Sequence, residues 1–224
     1  MPKLPLFFIG AMFVVGVVMY PRLPDQIPVH WGISGEIDRW SDTSFLSVFQ
    51  LPLMALGLYV LFVVAPHFDP KQRNVYRSKD LYFAALNVTT ALLALVFFGS
   101  IAAAFDSSLP MDRIVMVGVG LMLIVIGNYM GRAKRNWTVG TRFSWTLSDD
   151  EVWAKTNRLA GRLFMIAGLI SVACVFVPAP WNAIVMLSAV LATLPITYVY
   201  SMVLYKRKHP EEVGPPGDDP ADAE

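Results

Sequence analysis

Six stretches of this 224-residue chain are almost continuously apolar, and its polar residues are gathered in the intervals between them. They run over about Leu4 to Tyr20, Phe45 to Ala65, Leu81 to Phe105, Arg113 to Met130, Leu159 to Val177 and Trp181 to Tyr205. A helix of about 20 residues crosses roughly 30 Å of hydrocarbon. It also satisfies its own N–H and C=O groups where water cannot reach them. Strands of a membrane barrel are about half as long and alternate strictly between apolar and polar positions, which these stretches do not. The pattern predicts an all-α integral membrane bundle of six transmembrane helices.

Composition agrees: 55% of residues are hydrophobic and 16% charged, against about 25% charged in soluble domains. The net charge of +1, with basic residues segregated along the chain rather than pooled, gives no field for nucleic acid. Cys174 is the single cysteine and lies in an apolar run. It allows no intrachain disulfide and no thiolate metal cluster. Lys3 and the apolar residues to Tyr20 imitate a secretory signal, but Tyr20-Pro21-Arg22-Leu23-Pro24 offers no small-x-small cleavage site. We expect a retained first span.

Fifteen of the 18 Lys and Arg residues fall at one side of the six spans, and only Arg22, Arg39 and Arg113 at the other. Basic loops stay in the cytoplasm, which predicts that both termini are cytoplasmic. The chain then divides into 1–65, two spans joined by an extracellular loop at 21–44; 66–130, a basic cytoplasmic loop and spans three and four; 131–205, a second cytoplasmic loop and spans five and six; and 206–224, an acidic tail rich in Pro and Gly that is expected to be disordered. Pro52 and Pro195 fall inside spans, where they remove a backbone hydrogen bond and favour kinks. Asn87, Thr89, Thr90, Ser100, Thr193 and Thr197 are the intramembrane polar groups and are expected to tie helices together. Gly127 and Gly131 permit close helix approach. No Asp, Glu, Lys or His lies in mid-span, which argues against an ion-coupled carrier.

The extracellular loop, YPRLPDQIPVHWGISGEIDRWSDTS, is broken by Pro24, Pro28, Gly32 and Gly35 and should be ordered in tight turns rather than helical. His30 with Asp25, Glu36 and Asp38 lacks metal-ligand spacing. His30, Ser34 and Asp38 lack the context of a nucleophile elbow. Trp31 and Trp40 either anchor the interface or grip a peptide or lipid. No catalytic, cofactor or metal residue is assigned.

The second polar island, Gly127 to Gly161, interleaves Arg132, Lys134, Arg135, Arg142, Lys155 and Arg158 with Trp137, Trp145 and Trp153. Ser148-Asp149-Asp150-Glu151 reads as a capping box, so a helix should start there and run through Trp153 into the fifth span. Arg158 and Arg162, four apart, share a face. They either snorkel to lipid phosphates or, with Arg142, pair with the 149–151 carboxylates. Lys134 and Arg135 read as topology determinants and the three tryptophans as interfacial anchors.

Two runs carry a family resemblance. Leu23-Pro24-Asp25-Gln26-Ile27-Pro28-Val29-His30-Trp31, followed by Ser34-Gly35-Glu36-Ile37-Asp38-Arg39-Trp40, resembles the short amino-terminal domain of the SdpI immunity-protein family. The second run joins Gly127-Asn128, Lys134-Arg135-Asn136, Gly140-Thr141-Arg142, Trp145-Thr146-Leu147, Trp153, Lys155-Thr156-Asn157-Arg158 and Gly161, and it resembles that family's cytoplasmic segment. Phe143-Ser144, Thr141 and Asn157 depart from the family's usual Thr-Pro, Ile and His. The resemblance implies a bacterial plasma-membrane protein, not an enzyme, that protects its cell against a secreted peptide toxin. In some members it also implies holding a transcriptional repressor at the membrane. It marks Asp25, Pro28, His30, Trp31, Gly35, Asp38 and Trp40 outside, and Asn128, Asn136, Gly140, Arg142, Trp145, Trp153, Lys155 and Arg158 inside. Membrane lipid, the toxin and the repressor are the implied partners, with no cofactor. A small-solute or lipid transporter is the alternative reading, and a membrane enzyme the second.

Overall fold

The computed structural model of the protein describes residues 3–213. Six helices in it are long and apolar enough to cross a membrane: α1 (Leu4–Met19), α2 (Phe45–Val64), α4 (Lys79–Ala103), α5 (Met111–Met130), α7 (Asp150–Ala173) and α8 (Trp181–Lys208). Two short helices, α3 (Gln72–Arg77) and α6 (Ser144–Ser148), sit in the loops before α4 and α7. Their shortness hid them among polar residues. The long helices follow the apolar stretches because nothing within them stops helix propagation. Even Pro52 and Pro195 lie inside continuous helices.

The polypeptide between α1 and α2 departs from the expected string of turns. It forms an antiparallel pair, β1 (Gln26–Trp31) and β2 (Ile37–Asp42). Ile27, Val29 and Trp31 recur at every second residue, the period of a strand with one packed face. Ile27 enters a core with Ile9, Met12, Val48, Phe49 and Phe97, seating the hairpin on α1, α2 and α4. The register pairs Gln26 with Asp42 and Pro28 with Trp40, and slips on either side of His30. Such irregularity re-aims a side chain.

The helices are arranged as a row: α1 and α2 pack on α4, α4 on α5, α5 on α7, and α7 on α8. The hairpin lies at one set of helix ends, and the loops holding α3 and α6 lie at the opposite set, here termed the basic end. The closest approach is between the antiparallel α5 and α7. A Cβ built on Gly127 would stand 2.5 Å from the Gly161 carbonyl oxygen, and one on Gly168 would stand 2.5 Å from that of Gly120. The pairs are seven residues apart on each helix, so two turns of backbone meet without intervening side chains. Gly131, which ends α5, continues the approach more loosely: a Cβ there would stand 3.3 Å from the Arg158 side chain and 3.5 Å from its Cα on α7.

Ser171 adds a tie by donating to the Met116 carbonyl at 2.8 Å. Thr90, Thr193 and Thr197 donate within their own helices, to Leu86, Val190 and Thr193. That corrects the expectation that they link helices. The last turn of α8 contains Lys206–Lys208, so this basic triplet belongs to the helix rather than to the tail. The acidic segment from residue 214 lies outside the described residues.

Candidate functional site

At the hairpin end the polar side chains pair across the two strands. His30 Nδ1 and Asp38 Oδ1 are 2.6 Å apart, with both side chains about half exposed. Gln26 donates to Asp42 at 3.1 Å, and the Thr43 hydroxyl donates to the Pro24 carbonyl at 2.6 Å. Ser34 donates to Glu36, not to His30, which disposes of a catalytic triad. Among the described residues no group of three or more His, Cys, Asp or Glu is placed to hold a metal.

Gly35, at φ +88°, turns the hairpin tip beside the Asp112 carboxylate, which Asn182 also contacts at 3.2 Å. Asp25 closes the opposite end of the hairpin by accepting from Thr43 N–H through its carbonyl. Pro28 is buried, and its strand partner Trp40 is 45% exposed. Trp31 lines a small cleft of about 210 Å³ with Pro28, Leu51 and Ser100. Of the seven candidates around the hairpin, the fold thus pairs His30 with Asp38 and Pro28 with Trp40, while Asp25 and Gly35 stand at opposite ends.

The basic end is built differently, largely from buried polar groups bonded to backbone, although the buried Thr156 hydroxyl has no partner among the described residues. Asn136 is fully buried. Its Oδ1 accepts from Thr138 N–H (2.8 Å) and Val139 N–H (2.7 Å), and its Nδ2 donates to the Lys134 carbonyl. Asp69 accepts from Trp137 N–H (2.9 Å), the Thr138 hydroxyl (2.6 Å) and Lys71 N–H (2.7 Å). Asn74 donates to the Arg135 carbonyl, and the Ser78 hydroxyl accepts from Lys134 N–H. Asp69, Asn74 and Ser78 were missed by sequence reasoning. Their partners lie 56 to 69 residues away, and no local pattern signals such pairing.

Trp153 is 2% exposed and donates to the Ala133 carbonyl. Trp145 donates to the Ser201 hydroxyl at 2.7 Å and meets the Tyr198 ring edge-on. Both therefore hold the loop to the helices, which corrects their reading as interfacial anchors. Trp137, 52% exposed, is the one of the three that keeps a large outward surface. Gly140 adopts φ +122°, and a Cβ there would come within 2.8 Å of the Trp153 ring and 2.9 Å of Asn157 Oδ1. Both conformation and space require glycine.

The expected capping box is replaced by a simpler cap. Ser148 ends α6 and donates to Ser144. Asp149 caps α7, its carboxylate accepting from Glu151 and Val152 N–H. The carboxylates of 149–151 pair with Lys155, Lys208, His209 and Arg135 rather than with Arg142, Arg158 or Arg162. Asp149 meets Lys208 at 2.9 Å and His209 at 3.2 Å; Glu151 meets Lys208 and Lys155; Asp150 meets Arg135 at 2.6 Å. Arg135 also donates to the Leu147 carbonyl, so it has a structural role beyond topology. Burial opposes the charge on Asp149, but Lys208, the two N–H groups and His209 outweigh it and hold the carboxyl well below its usual range. Arg142 donates to the Trp137 carbonyl. Asn128 and Arg158 are exposed.

Two family profiles match the two ends. A domain of unknown function (DUF1648) matches residues 7–56, and the SdpI/YfhL protein family matches residues 132–199. The chain is also similar to the Immunity protein SdpI of Bacillus subtilis (strain 168). That alignment is 28% identical over 202 residues and covers 90% of this chain and 94% of the relative.

The chain is SdpI-like.

It is a multi-pass membrane protein with six apolar helices. No solved structure matches it. In this SdpI-like chain the first profile spans α1, the hairpin and half of α2, and the second spans the loop after α5, α6, α7 and most of α8. Most of the candidate residues lie in these two segments, Asn128 being the exception. The three polar residues that sequence reasoning missed, Asp69, Asn74 and Ser78, lie outside both and complete the buried network from the α2–α4 connection. Asn157, where the family usually has His, is fully buried. Its Oδ1 accepts from Thr141 N–H at 2.8 Å, and its Nδ2 donates to the Trp153 carbonyl. It thereby joins the two other departures, Thr141 and the loop leading to Phe143, to the α7 helix.

Proposed function

We propose that this protein is an immunity protein of a bacterial plasma membrane, protecting the cell that makes it against a secreted peptide toxin without catalysing a reaction. The observation that carries this reading is the similarity to Immunity protein SdpI, which extends over nearly the whole of both chains. In this reading the hairpin faces outward and the basic end faces the cytoplasm, in accord with the positive-inside rule. The hairpin is the toxin-facing surface: His30, Asp38 and Trp40 are exposed, and the strand pair lies on α1, α2 and α4, through which occupancy can reach the rest of the row.

Expression in a toxin-sensitive bacterium tests this directly. Wild-type protein should allow growth under challenge by a peptide toxin. Replacing Asp25, His30 and Asp38 together should abolish protection while leaving the protein in the membrane fraction. Protection that survives the triple change sinks the assignment of recognition to the hairpin.

A second role, holding a repressor protein at the membrane, draws support from the basic end. Arg73, Arg77, Arg158, Arg162 and Arg207 are exposed there and form no ion pair among the described residues. A protein with an acidic face suits such a surface. Its test is recovery of a repressor with the membrane fraction only while the SdpI-like protein is present.

A further inference from the structure

A cleft of about 500 Å³ opens at the basic end, between the last turn of α2 with its following turn and the loop at 137–142. Its floor is apolar. Leu61 and Phe68 line it and are 58% and 80% exposed, so the floor runs onto the outward face of α2, where a bilayer would supply hydrocarbon. Phe62 continues the floor inward, and its carbonyl accepts from the Tyr82 hydroxyl at 2.5 Å, which commits that hydroxyl's one proton to the fold.

The mouth is polar. Arg142 lines it with Trp137 and Asp69. The Asp69 oxygens are engaged by Lys71 N–H, Trp137 N–H and the Thr138 hydroxyl. Arg142 forms no ion pair among the described residues. Its guanidinium has five N–H donors, and among the described residues the Trp137 carbonyl is the one acceptor on it.

An apolar floor open to lipid, a half-exposed tryptophan and an unpaired guanidinium at the mouth follow one another in the order of acyl chain, glycerol and phosphate. We propose that this cleft holds one anionic phospholipid. Its acyl chain lies along Leu61 and Phe62, its glycerol region lies at Trp137, and its phosphate lies on Arg142. A phosphate accepts a planar guanidinium at two oxygens. An anionic head group, unlike a zwitterionic one, brings no second cation against Arg142.

Native mass spectrometry of the full-length protein in detergent, with equal amounts of phosphatidylglycerol and phosphatidylcholine, tests the site. One phosphatidylglycerol should be retained in preference. Arg142→Gln should weaken retention roughly fivefold, the change expected from one cation at an anionic surface. Leu61→Trp, which fills the cleft from α2 without touching the loop, should weaken it similarly while thermal unfolding stays at the wild-type temperature. Equal retention of the two lipids, or wild-type retention by both variants, overturns the proposal. Displacement of the lipid by millimolar glycerol 3-phosphate overturns it as well, because the site would then be one for soluble phosphate.

Discussion

The two ends of the molecule secure their polar side chains in opposite ways. At the hairpin, His30 and Asp38 meet in the open, each about half exposed, where an ion pair contributes at most about 1 kcal/mol. At the basic end Asn136, Thr146 and Asn157 are fully buried and bonded to backbone groups. Losing one such partner costs about 1–3 kcal/mol. The hairpin is thus held to the bundle by Ile27 and its apolar neighbours, and its polar groups are free to be spent on a ligand. The basic-end loop has its buried polar groups committed to the fold. A substitution at the first should change recognition and leave folding intact, whereas one at the buried groups of the second should change folding.

The sharpest break of this contrast lies just inside the basic end. Gly127→Leu sets a side chain against the Gly161 carbonyl, which already lies within 2.5 Å of a Cβ position. Overpacking of this kind costs typically about 1–3 kcal/mol and more where backbone must move. Loss of monodisperse protein after detergent extraction is the expected result. Next, Asn157→Ala leaves the Thr141 N–H buried without its acceptor. Thermal unfolding in detergent should show a loss of about 1–3 kcal/mol, and an unchanged midpoint would remove the claim that the loop is fixed by its buried amides.

Asp149→Ala removes the α7 cap together with the contacts to Lys208 and His209, for a loss of about 1 kcal/mol. Because the folded carboxyl titrates below its usual value, its contribution is complete above about pH 3.9, the value for an unfolded Asp. It disappears as pH falls below that toward the lowered folded value. The gap between wild type and variant should therefore be constant from neutral pH to about pH 4 and close under stronger acid. A gap that closes near neutrality would contradict this. The smallest effect on folding is expected for His30→Gln at the hairpin, a few tenths of a kcal/mol for an exposed pair. The same variant should be impaired in protection. Large destabilisation by it would erase the distinction between the two ends.

How much of this was legible depended on the distance over which each feature is decided. The six spans were readable because a run of apolar residues and the length of a helix are local properties, and the observed helices start or end within a few residues of the expected positions. The start of α7 was readable to one residue, since Ser148 and Asp149 are both good caps and only the preceding α6 decides between them. The hairpin was obscured by Pro24, Pro28, Gly32 and Gly35, although the alternation of Ile27, Val29 and Trp31 was its signal. At the candidate site the residue types were visible but their commitments were not. Nothing near Trp153 announces that its N–H goes to Ala133, and nothing near Asp69 announces the loop 68 residues later. Trp145 and Trp153 looked like anchors for the same reason: composition records that a tryptophan is present near an interface, while packing determines which way it faces.

The glycine contact between α5 and α7 has a mechanical consequence. Side chains at a helix interface can change rotamer and let two helices slide or roll, but Gly120, Gly127, Gly161 and Gly168 bring backbone against backbone at two levels two turns apart. Neither helix can roll about its axis or shift by a turn without driving a Cα into a carbonyl oxygen. The two move as one beam, further pinned by the Ser171 bond to Met116. A displacement passed from α4 to this pair therefore travels as a tilt of the beam against α4, with spin-label distances between α5 and α7 unchanged while those between α4 and α5 shift.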